Sequence, residues 1–100
     1  MYKLTDQAAE DFAGIYDYTF LQFGETQADH YTEALEAFFD TLAEMPHIGR
    51  EYPSVPGVML VEFHRHTVFY TIRDTDILIA SILHQQMNHP RYFQRSLSAI

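Results

Sequence analysis

Residues 58–84 read VMLVEF-HRH-TVFYTIR-DTD-ILIASILH, three runs rich in β-branched and aromatic residues, joined by two short polar segments. Runs of this composition predict β-strands, and separators of this length suit hairpin loops. The third run, Ile77–His84, is apolar at consecutive positions, as expected of a strand that is buried on both faces. We therefore predict three antiparallel strands, with the third in the interior of the sheet.

Two amphipathic helices are predicted before these strands, because apolar residues recur there at spacings of three and four. Thr5 or Asp6 can cap the first helix, and Gly24 can form the turn between the two. The pair is predicted to be an antiparallel helical hairpin. Its two apolar faces consist of Ala8, Phe12, Ile15, Tyr16, Thr19 and Phe23, and of Ala28, Tyr31, Leu35, Phe38, Leu42 and Met45.

The remaining segments complete the predicted fold. Tyr2–Leu4 is a short candidate strand, and residues 46–57, with three prolines and two glycines, are predicted to form a loop. The order β-α-α-β-β-β indicates an α+β fold, in which the helical hairpin packs on one face of an antiparallel β-sheet. We assign residues 1–88 to a single domain and residues 89–100 to a C-terminal tail.

The charge of the chain is strongly acidic and unevenly distributed. Its 100 residues include 6 Lys and Arg against 14 Asp and Glu, a net charge of −8. Residues 1–49 hold ten of these acids against one lysine, whereas residues 50–100 hold four acids against five arginines. This balance argues against a protein that binds nucleic acid by itself or docks on an anionic membrane.

The sequence also limits where and how the protein acts. No apolar stretch approaches the roughly 20 residues of a membrane helix, and the first residues lack the apolar core of a signal peptide. We therefore expect a cytoplasmic location. Without cysteine there is no disulfide, thiol nucleophile or cysteine-ligated metal, and no glycine-rich phosphate loop or Gly-x-Ser-x-Gly motif is present. We expect no cofactor.

Histidines and arginines give two further hypotheses. A metal ion would require three histidines, His64, His66 and His84, to share one face of the sheet. If the first two straddle a turn instead, their rings diverge. We predict no metal site. An acid–base site would need cations around a phosphate, with His84 or Tyr92 moving protons. The candidates for that ring are Arg50, Arg65, Arg73, His84 and Arg91. Because spacing alone does not bring them together, we predict a protein that is not an enzyme.

A row of acids follows one side of the second helix. Three interpretations fit such a row: a solvated helix face, a metal site or a docking surface for a basic partner. The row consists of Glu25, Asp29, Glu33, Glu36, Asp40 and Glu44.

A set of short motifs occurs in order over about the first ninety residues. The first part consists of Tyr2-Lys3-Leu4-Thr5, Ala8-Ala9, Asp11, Ile15, Tyr18, Gly24, Gln27-Ala28, Tyr31, Leu35, Leu42-Ala43, Pro46 and Ile48-Gly49-Arg50. The second part consists of His66-Thr67-Val68-Phe69-Tyr70 and Ile82-Leu83-His84-Gln85-Gln86-Met87-Asn88. The ordered set resembles the ParE family, a branch of the RelE/ParE superfamily of toxin–antitoxin toxins.

The resemblance implies a fold and a function. The family fold is a helical hairpin over an antiparallel sheet, and each toxin pairs with a small ParD-like antitoxin encoded beside it. The antitoxin's C-terminal segment lies along the toxin's helices and often adds a strand to the sheet edge. ParE toxins are associated with poisoning DNA gyrase, whereas their RelE relatives cleave mRNA on the ribosome. The net charge of −8 opposes docking on RNA, which favours the gyrase branch.

Two alternatives remain open: a RelE-like ribosome-dependent mRNA endonuclease, and a homologue that has lost toxicity and acts as a regulatory binding module. The second is suggested by Gln85-Gln86, since an arginine commonly follows the Leu-His pair in the family. Both alternatives, like the gyrase hypothesis, include a hetero-oligomer with an antitoxin or a similar partner.

The resemblance and the residue types together give candidate surfaces. The target-binding candidates are His84, Met87, Asn88, Arg91, Tyr92 and Arg50. Exposed Met, Tyr and Arg commonly anchor interfaces, although the segment after His84 can equally pack on its own domain. The antitoxin-interface candidates are Phe20, Phe39 and Tyr52. The two phenylalanines fall outside the predicted helix faces, so they either line a groove or flank a small core.

Overall fold

The computed structural model describes residues 1–84. In it the helical hairpin forms at the residues that the sequence predicts. Helix α1 spans Asp6–Phe23 and helix α2 spans Glu25–Glu44. The Oγ1 of Thr5 accepts a hydrogen bond from the backbone N–H of Ala8 at 3.0 Å, which caps α1. Gly24 joins the helices at φ 92°, a conformation that favours glycine because other residues have a Cβ clash there.

Within residues 1–84 the strands form one five-stranded sheet in the order β1-β5-β4-β3-β2. Their bounds are Tyr2–Leu4 for β1, Arg50–Glu51 for β2, Met59–Phe63 for β3, His66–Ile72 for β4 and Ile77–His84 for β5. The three predicted strands β3, β4 and β5 are antiparallel neighbours, and β5 lies in the interior of the sheet as its apolar sequence predicts. A short 3-10 helix, Pro46–Ile48, follows α2.

Two details of the predicted sheet are wrong. Strand β1 pairs with β5 in parallel, with Tyr2 opposite Ile77 and Leu4 opposite Ile79, so the sheet is mixed rather than antiparallel. The alternation of side chains indicates which face a residue occupies but carries no information on the direction of its neighbour. Strand β2 lies inside the predicted loop, because two residues suffice to pair with β3 and leave no pattern in the sequence.

The sheet separates two apolar clusters. The larger lies between the helices and the sheet and includes Leu35, Phe39, Val68, Tyr70 and Ile79. The smaller lies on the opposite face, where Tyr52 and Val55 of the loop between β2 and β3 pack against buried strand residues. The buried residues of that second cluster are Val58, Leu60, Phe69, Ala80 and Leu83. Both faces of β5 are therefore covered, which explains why its sequence does not alternate.

Asp11 fixes α1 to the part of β5 that extends beyond β1. Its Oδ2 accepts hydrogen bonds from the Oγ of Ser81 and from the backbone N–H of Ile82, each at 3.0 Å. This carboxylate satisfies a backbone N–H that would otherwise face the sheet edge without a partner. The contact orients the helical hairpin relative to His84, the last residue of β5.

Candidate functional site

Three aromatic side chains meet where β5 ends, on the helix-facing side of the sheet. His66 and His84 are paired across β4 and β5, and their rings pack edge to face with centroids 5.4 Å apart. A hydrogen bond of 2.7 Å joins the Oη of Tyr31 to the Nδ1 of His66. The sequence predicts His84 as a candidate but assigns Tyr31 to a helix face, so only the strand register and the helix placement reveal the cluster.

Burial keeps the His66 imidazole neutral. It lowers the pKa of His66 to about 4, and the nearby His84 contributes to the same shift because two like charges repel. Burial also raises the pKa of Tyr31. At neutral pH the pair is thus an uncharged imidazole and an uncharged phenol, and neither can offer a charge to a phosphate.

The arginines of the hypothetical acid–base ring do not assemble among the residues that the structure describes. Arg65 lies close enough to Tyr31 for its charge to lower the pKa of that phenol against the effect of burial, but the other arginines lie elsewhere. Arg73 follows Ile72 at the end of β4 that pairs with Ile77, whereas His84 pairs at the other end with His66. Seven residues of β4 separate the two ends, roughly 20 Å at 3.3 Å per residue. Arg50 lies on β2, three strands away from β5. Arg91 lies outside the described residues.

The described residues show no group of three or more His, Cys, Asp or Glu side chains that could hold a metal ion. His64 and His66 do straddle a turn, since β3 ends at Phe63 and β4 begins at His66. His64 adopts φ 53° in that turn, and its ring packs on Phe63 with centroids 4.5 Å apart. Both imidazoles of this motif nevertheless contact the Tyr31 ring, with centroid distances of 6.0 Å for His64 and 5.6 Å for His66.

Arg50 lies at the sheet edge and is exposed. Its Nη2 forms a 3.3 Å salt bridge with the Oε1 of Glu62, and both side chains are more than half exposed. A shallow groove of about 390 Å³ runs beside it, and its walls consist of His47, Gly49, Arg50, Glu51, Gly57, Met59 and Ile72. Tyr52 is half-buried instead, with its ring 5.4 Å from that of Phe69. Its contact with the second apolar cluster leaves only part of the side chain for a partner.

The two phenylalanine candidates have opposite environments. Phe20 is exposed near the end of α1 and packs on Tyr16 with ring centroids 6.2 Å apart. Phe39 is fully buried, with its ring 5.3 Å from that of Tyr2 and 6.4 Å from that of Phe12. The prediction that Phe39 is a surface residue for the antitoxin is therefore wrong, because β1 and α1 cover it.

Exposed apolar residues missed by the pattern analysis lie beside Phe20. Tyr18 and Leu21 are exposed on the same helix, and residues 20–27 are exposed without interruption. Phe23 is also exposed, as is Met45 at the end of α2, so the predicted apolar faces are wrong at these two positions. The signal that could have revealed them is the run Tyr18–Leu21 with Phe23, which is too apolar for a helix with one buried face. The candidates Met87, Asn88, Arg91 and Tyr92 and the predicted tail 89–100 lie outside the described residues.

Neither helix of the described chain has the length and apolar content needed to cross a membrane.

Three comparisons place the chain among known proteins. Residues 2–89 match the family model described as ParE toxin of type II toxin-antitoxin system, parDE. The chain is 32% identical over 92 residues to Toxin ParE1 of Mycobacterium tuberculosis, covering 90% of this chain and 94% of the relative. It is 31% identical over 88 residues to Toxin ParE1 of Caulobacter vibrioides, covering 87% and 91%.

A solved structure shares the fold. The chain resembles one from the chromosomal ParDE TA system of P. aeruginosa with a TM-score of 0.73 and 23% sequence identity, covering 83% of this chain and 92% of the other. The family match spans most of the chain, and the two named relatives are matched over nearly their whole length. The chain belongs to the ParE toxin family of type II toxin–antitoxin systems.

Proposed function

We propose that this toxin inhibits DNA gyrase through protein–protein contact, and that a ParD-like antitoxin neutralises it. The family membership supports an antitoxin partner, and the distribution of charge supports a protein target. We further propose that both interactions take place in the cytoplasm, where gyrase acts on DNA.

The single observation that carries the choice of target is the scarcity of free cations on the described surface. Residues 1–84 contain Lys3, Arg50, Arg65 and Arg73, and salt bridges to Glu62 and Asp76 already engage two of the arginines. A ribonuclease that enters the ribosome must neutralise several phosphates. The neutral Tyr31–His66 pair does not supply that charge.

Expression in a growth assay tests the proposal. Induction without the antitoxin is expected to stop growth, with incorporation of labelled thymidine falling before that of labelled methionine, because replication is blocked first. Co-expression of the antitoxin is expected to restore growth. An early loss of methionine incorporation with ribosome-bound mRNA cleaved would favour the endonuclease alternative. Normal growth on induction would favour the non-toxic regulatory module.

A further inference from the structure

Helix α1 follows strand β5 toward the end of that strand. The backbone N–H of Thr5, just before the helix, donates a 3.0 Å hydrogen bond to the carbonyl oxygen of Ile79, and Asp11 accepts one from the N–H of Ile82. Beyond these contacts β5 continues for two residues, roughly 7 Å at 3.3 Å per residue, whereas α1 continues for twelve, roughly 18 Å at 1.5 Å per residue. The last turns of α1 therefore extend past the sheet.

Helix α2 returns from the same place. Its Tyr31 contacts His66, which is paired with His84 at the end of β5. Gly24, in the turn between the helices, precedes Tyr31 by seven residues, about 10 Å along the helix. The turn thus lies beyond the strands, and residues 20–27 are exposed without interruption. We call residues 17–27, which extend past the end of β5, the hairpin overhang.

The overhang presents two different sides of α1. Phe20 lies on the side that faces α2, because its ring packs on Tyr16, whose Oη donates a 3.1 Å hydrogen bond to Asp29 of α2. Tyr18 lies about 160° around the helix from Phe20, at about 100° per residue. It also follows Asp11 by two turns, which places it on the side of α1 that faces the edge of β5.

Tyr18 and Leu21 form an exposed apolar pair on this outer side of the overhang. They are 63% and 80% exposed, and a spacing of three residues makes them neighbours on the helix surface. The exposed Asp17 precedes Leu21 by four residues and lies beside it. Since neither apolar side chain contributes to the core, their common exposure indicates an interaction site with a carboxylate at its rim.

The charge around this pair is acidic. Residues 6–44 contain ten carboxylates and no lysine or arginine. The salt bridges Arg50–Glu62 and Arg73–Asp76 both lie in the sheet half of the described chain. No lysine or arginine of the hairpin offsets its own carboxylates, so the overhang favours a partner with a cationic surface.

We propose that Tyr18 and Leu21 bind a cationic surface of DNA gyrase, with Asp17 at the rim of the contact. This inference rests on the proposed function, because it names the part of the toxin that contacts that target. An enzyme that holds DNA presents lysine and arginine side chains to the phosphates, and an acidic surface complements such a region. The Tyr18 ring is the anchor of the contact, and the carboxylates accelerate association.

The position of the pair agrees with the target-binding surface that the sequence predicts. That surface begins at His84, and the overhang extends past the same end of β5, so both can contact one partner. Phe20, the predicted antitoxin contact, is next to Leu21 in the chain but faces α2. An antitoxin bound over Phe20 would therefore obstruct gyrase at Leu21, which accounts for neutralisation by steric competition.

A second copy of this chain fits the overhang less well. Two of the four lysines and arginines in residues 1–84 are already in salt bridges, and Lys3 and Arg65 lie in different segments, so they form no cationic patch. The charge of the hairpin also repels an identical hairpin.

Binding of the toxin to purified gyrase between 50 and 300 mM NaCl tests the electrostatic part of the inference. The charge-reversal variant Asp17→Lys is matched by Asp74→Lys, which changes an exposed acid in the turn between β4 and β5. At the lowest salt, Asp17→Lys is expected to weaken binding about fivefold, mostly through slower association, and to reduce the salt dependence. Asp74→Lys is expected to stay within about twofold of the wild type.

The apolar part is tested by Tyr18→Ala and Leu21→Ala, with Ile48→Ala as the control at an exposed apolar residue outside the overhang. Tyr18→Ala is expected to raise the toxin concentration that half-inhibits supercoiling about tenfold, and Leu21→Ala about fivefold, as for loss of interface anchors. Ile48→Ala is expected to leave it unchanged. All three variants are expected to keep their affinity for the antitoxin within about twofold. Thermal unfolding of each variant confirms that the fold is retained.

The outcomes separate this inference from the proposed function. Equal effects of Asp17→Lys and Asp74→Lys on gyrase binding, or full inhibition by Tyr18→Ala, would overturn the inference and leave gyrase as the target. Variants that lose antitoxin binding but still inhibit gyrase would assign this surface to the antitoxin and also overturn it. A wild-type toxin that binds the antitoxin but not gyrase would contradict both the inference and the proposed target.

Discussion

The Oη of Tyr31 and the Nδ1 of His66 form a 2.7 Å hydrogen bond that connects α2 to the sheet at its β5 end. The pair is neutral at physiological pH because burial and the adjacent His84 lower the pKa of His66 to about 4. It therefore has the character of a structural contact between two layers, next to the point where the chain leaves β5.

This pair predicts a specific dependence of stability on pH. Between pH 6.5 and 4 the unfolded state binds a proton on His66 that the folded state does not, so stability is full above pH 6.5 and falls as the pH falls toward 4. Because the side chain is partly exposed, solvent screening limits the loss to about 1–2 kcal/mol. Urea unfolding of wild type and of His66→Gln between pH 6.5 and 4 measures this loss of stability.

Comparing wild type with His66→Gln separates the contribution of His66 to the pH dependence from that of the carboxylates, which both proteins contain. We expect the wild-type stability to fall more steeply than that of His66→Gln as the pH decreases. His30→Gln, at an exposed position of α2, provides the matched control and should follow the wild type. Parallel curves for wild type and His66→Gln would show that His66 is not held neutral by the fold.

The opposite environments of Phe39 and Phe20 predict opposite effects of truncation. Phe39→Ala removes a fully buried ring that contacts Tyr2 and Phe12, and it is expected to lower the free energy of unfolding by about 3–5 kcal/mol. Phe20→Ala is expected to change stability by less than about 1 kcal/mol and to weaken antitoxin binding. Urea unfolding measures the stability of the two variants, and a binding assay measures their affinity for the antitoxin. Similar losses of stability in Phe39→Ala and Phe20→Ala would contradict the assignment of Phe20 to the surface.

Any side chain in place of Gly49 is predicted to clash with neighbouring residues and lower stability. A Cβ there would lie 2.5 Å from the Oη of Tyr70 and 2.7 Å from the carbonyl oxygen of Leu60. The Tyr70 hydroxyl cannot move freely, because it donates a 2.6 Å hydrogen bond to the carbonyl oxygen of Pro46. We expect Gly49→Ala to lower the free energy of unfolding by about 1–3 kcal/mol, as measured by thermal or urea unfolding.

Gly14 gives the matched control for this substitution. It lies within α1, and no atom would be within 4 Å of an added Cβ. Alanine is the better helix former, so Gly14→Ala is expected to stabilise the protein by about 0.5–1 kcal/mol. Equal effects at the two glycines would show that the Tyr70 contact does not constrain the chain at Gly49.

The segment after Asn88 is predicted to act on the target rather than on the antitoxin. Its candidate residues Arg91 and Tyr92 are of the types that anchor interfaces, and removal of residues 89–100 is therefore expected to abolish toxicity while antitoxin binding persists. Growth assays and co-purification with the antitoxin measure the two effects. Full toxicity of the truncated protein would remove this segment from the target-binding surface.

Much of the fold follows from local patterns in the sequence. The capping role of Thr5, the turn at Gly24 and the three runs of residues 58–84 are each encoded within a few residues, and the structure confirms them. The parallel pairing of β1 with β5 is not encoded in this way, because Tyr2 and Ile77 are far apart in the chain.

The error at Phe39 has a similar origin. Phe38 and Phe39 are adjacent and only 100° apart around α2, so the helical period permits either to point inward. The residues that decide are Tyr2 and Phe12, which cover Phe39 from other elements. Contacts between distant segments likewise create the Tyr31–His66 pair, which no local pattern specifies.

The proposed target is tested most directly by DNA supercoiling with purified gyrase. Added toxin is expected to inhibit supercoiling of relaxed plasmid in a concentration-dependent manner, and prior mixing with the antitoxin is expected to restore it. A heat-unfolded sample of the toxin controls for non-specific effects. Unimpaired supercoiling at toxin concentrations in excess of gyrase, with mRNA cleaved on translating ribosomes by the same preparation, would contradict the account.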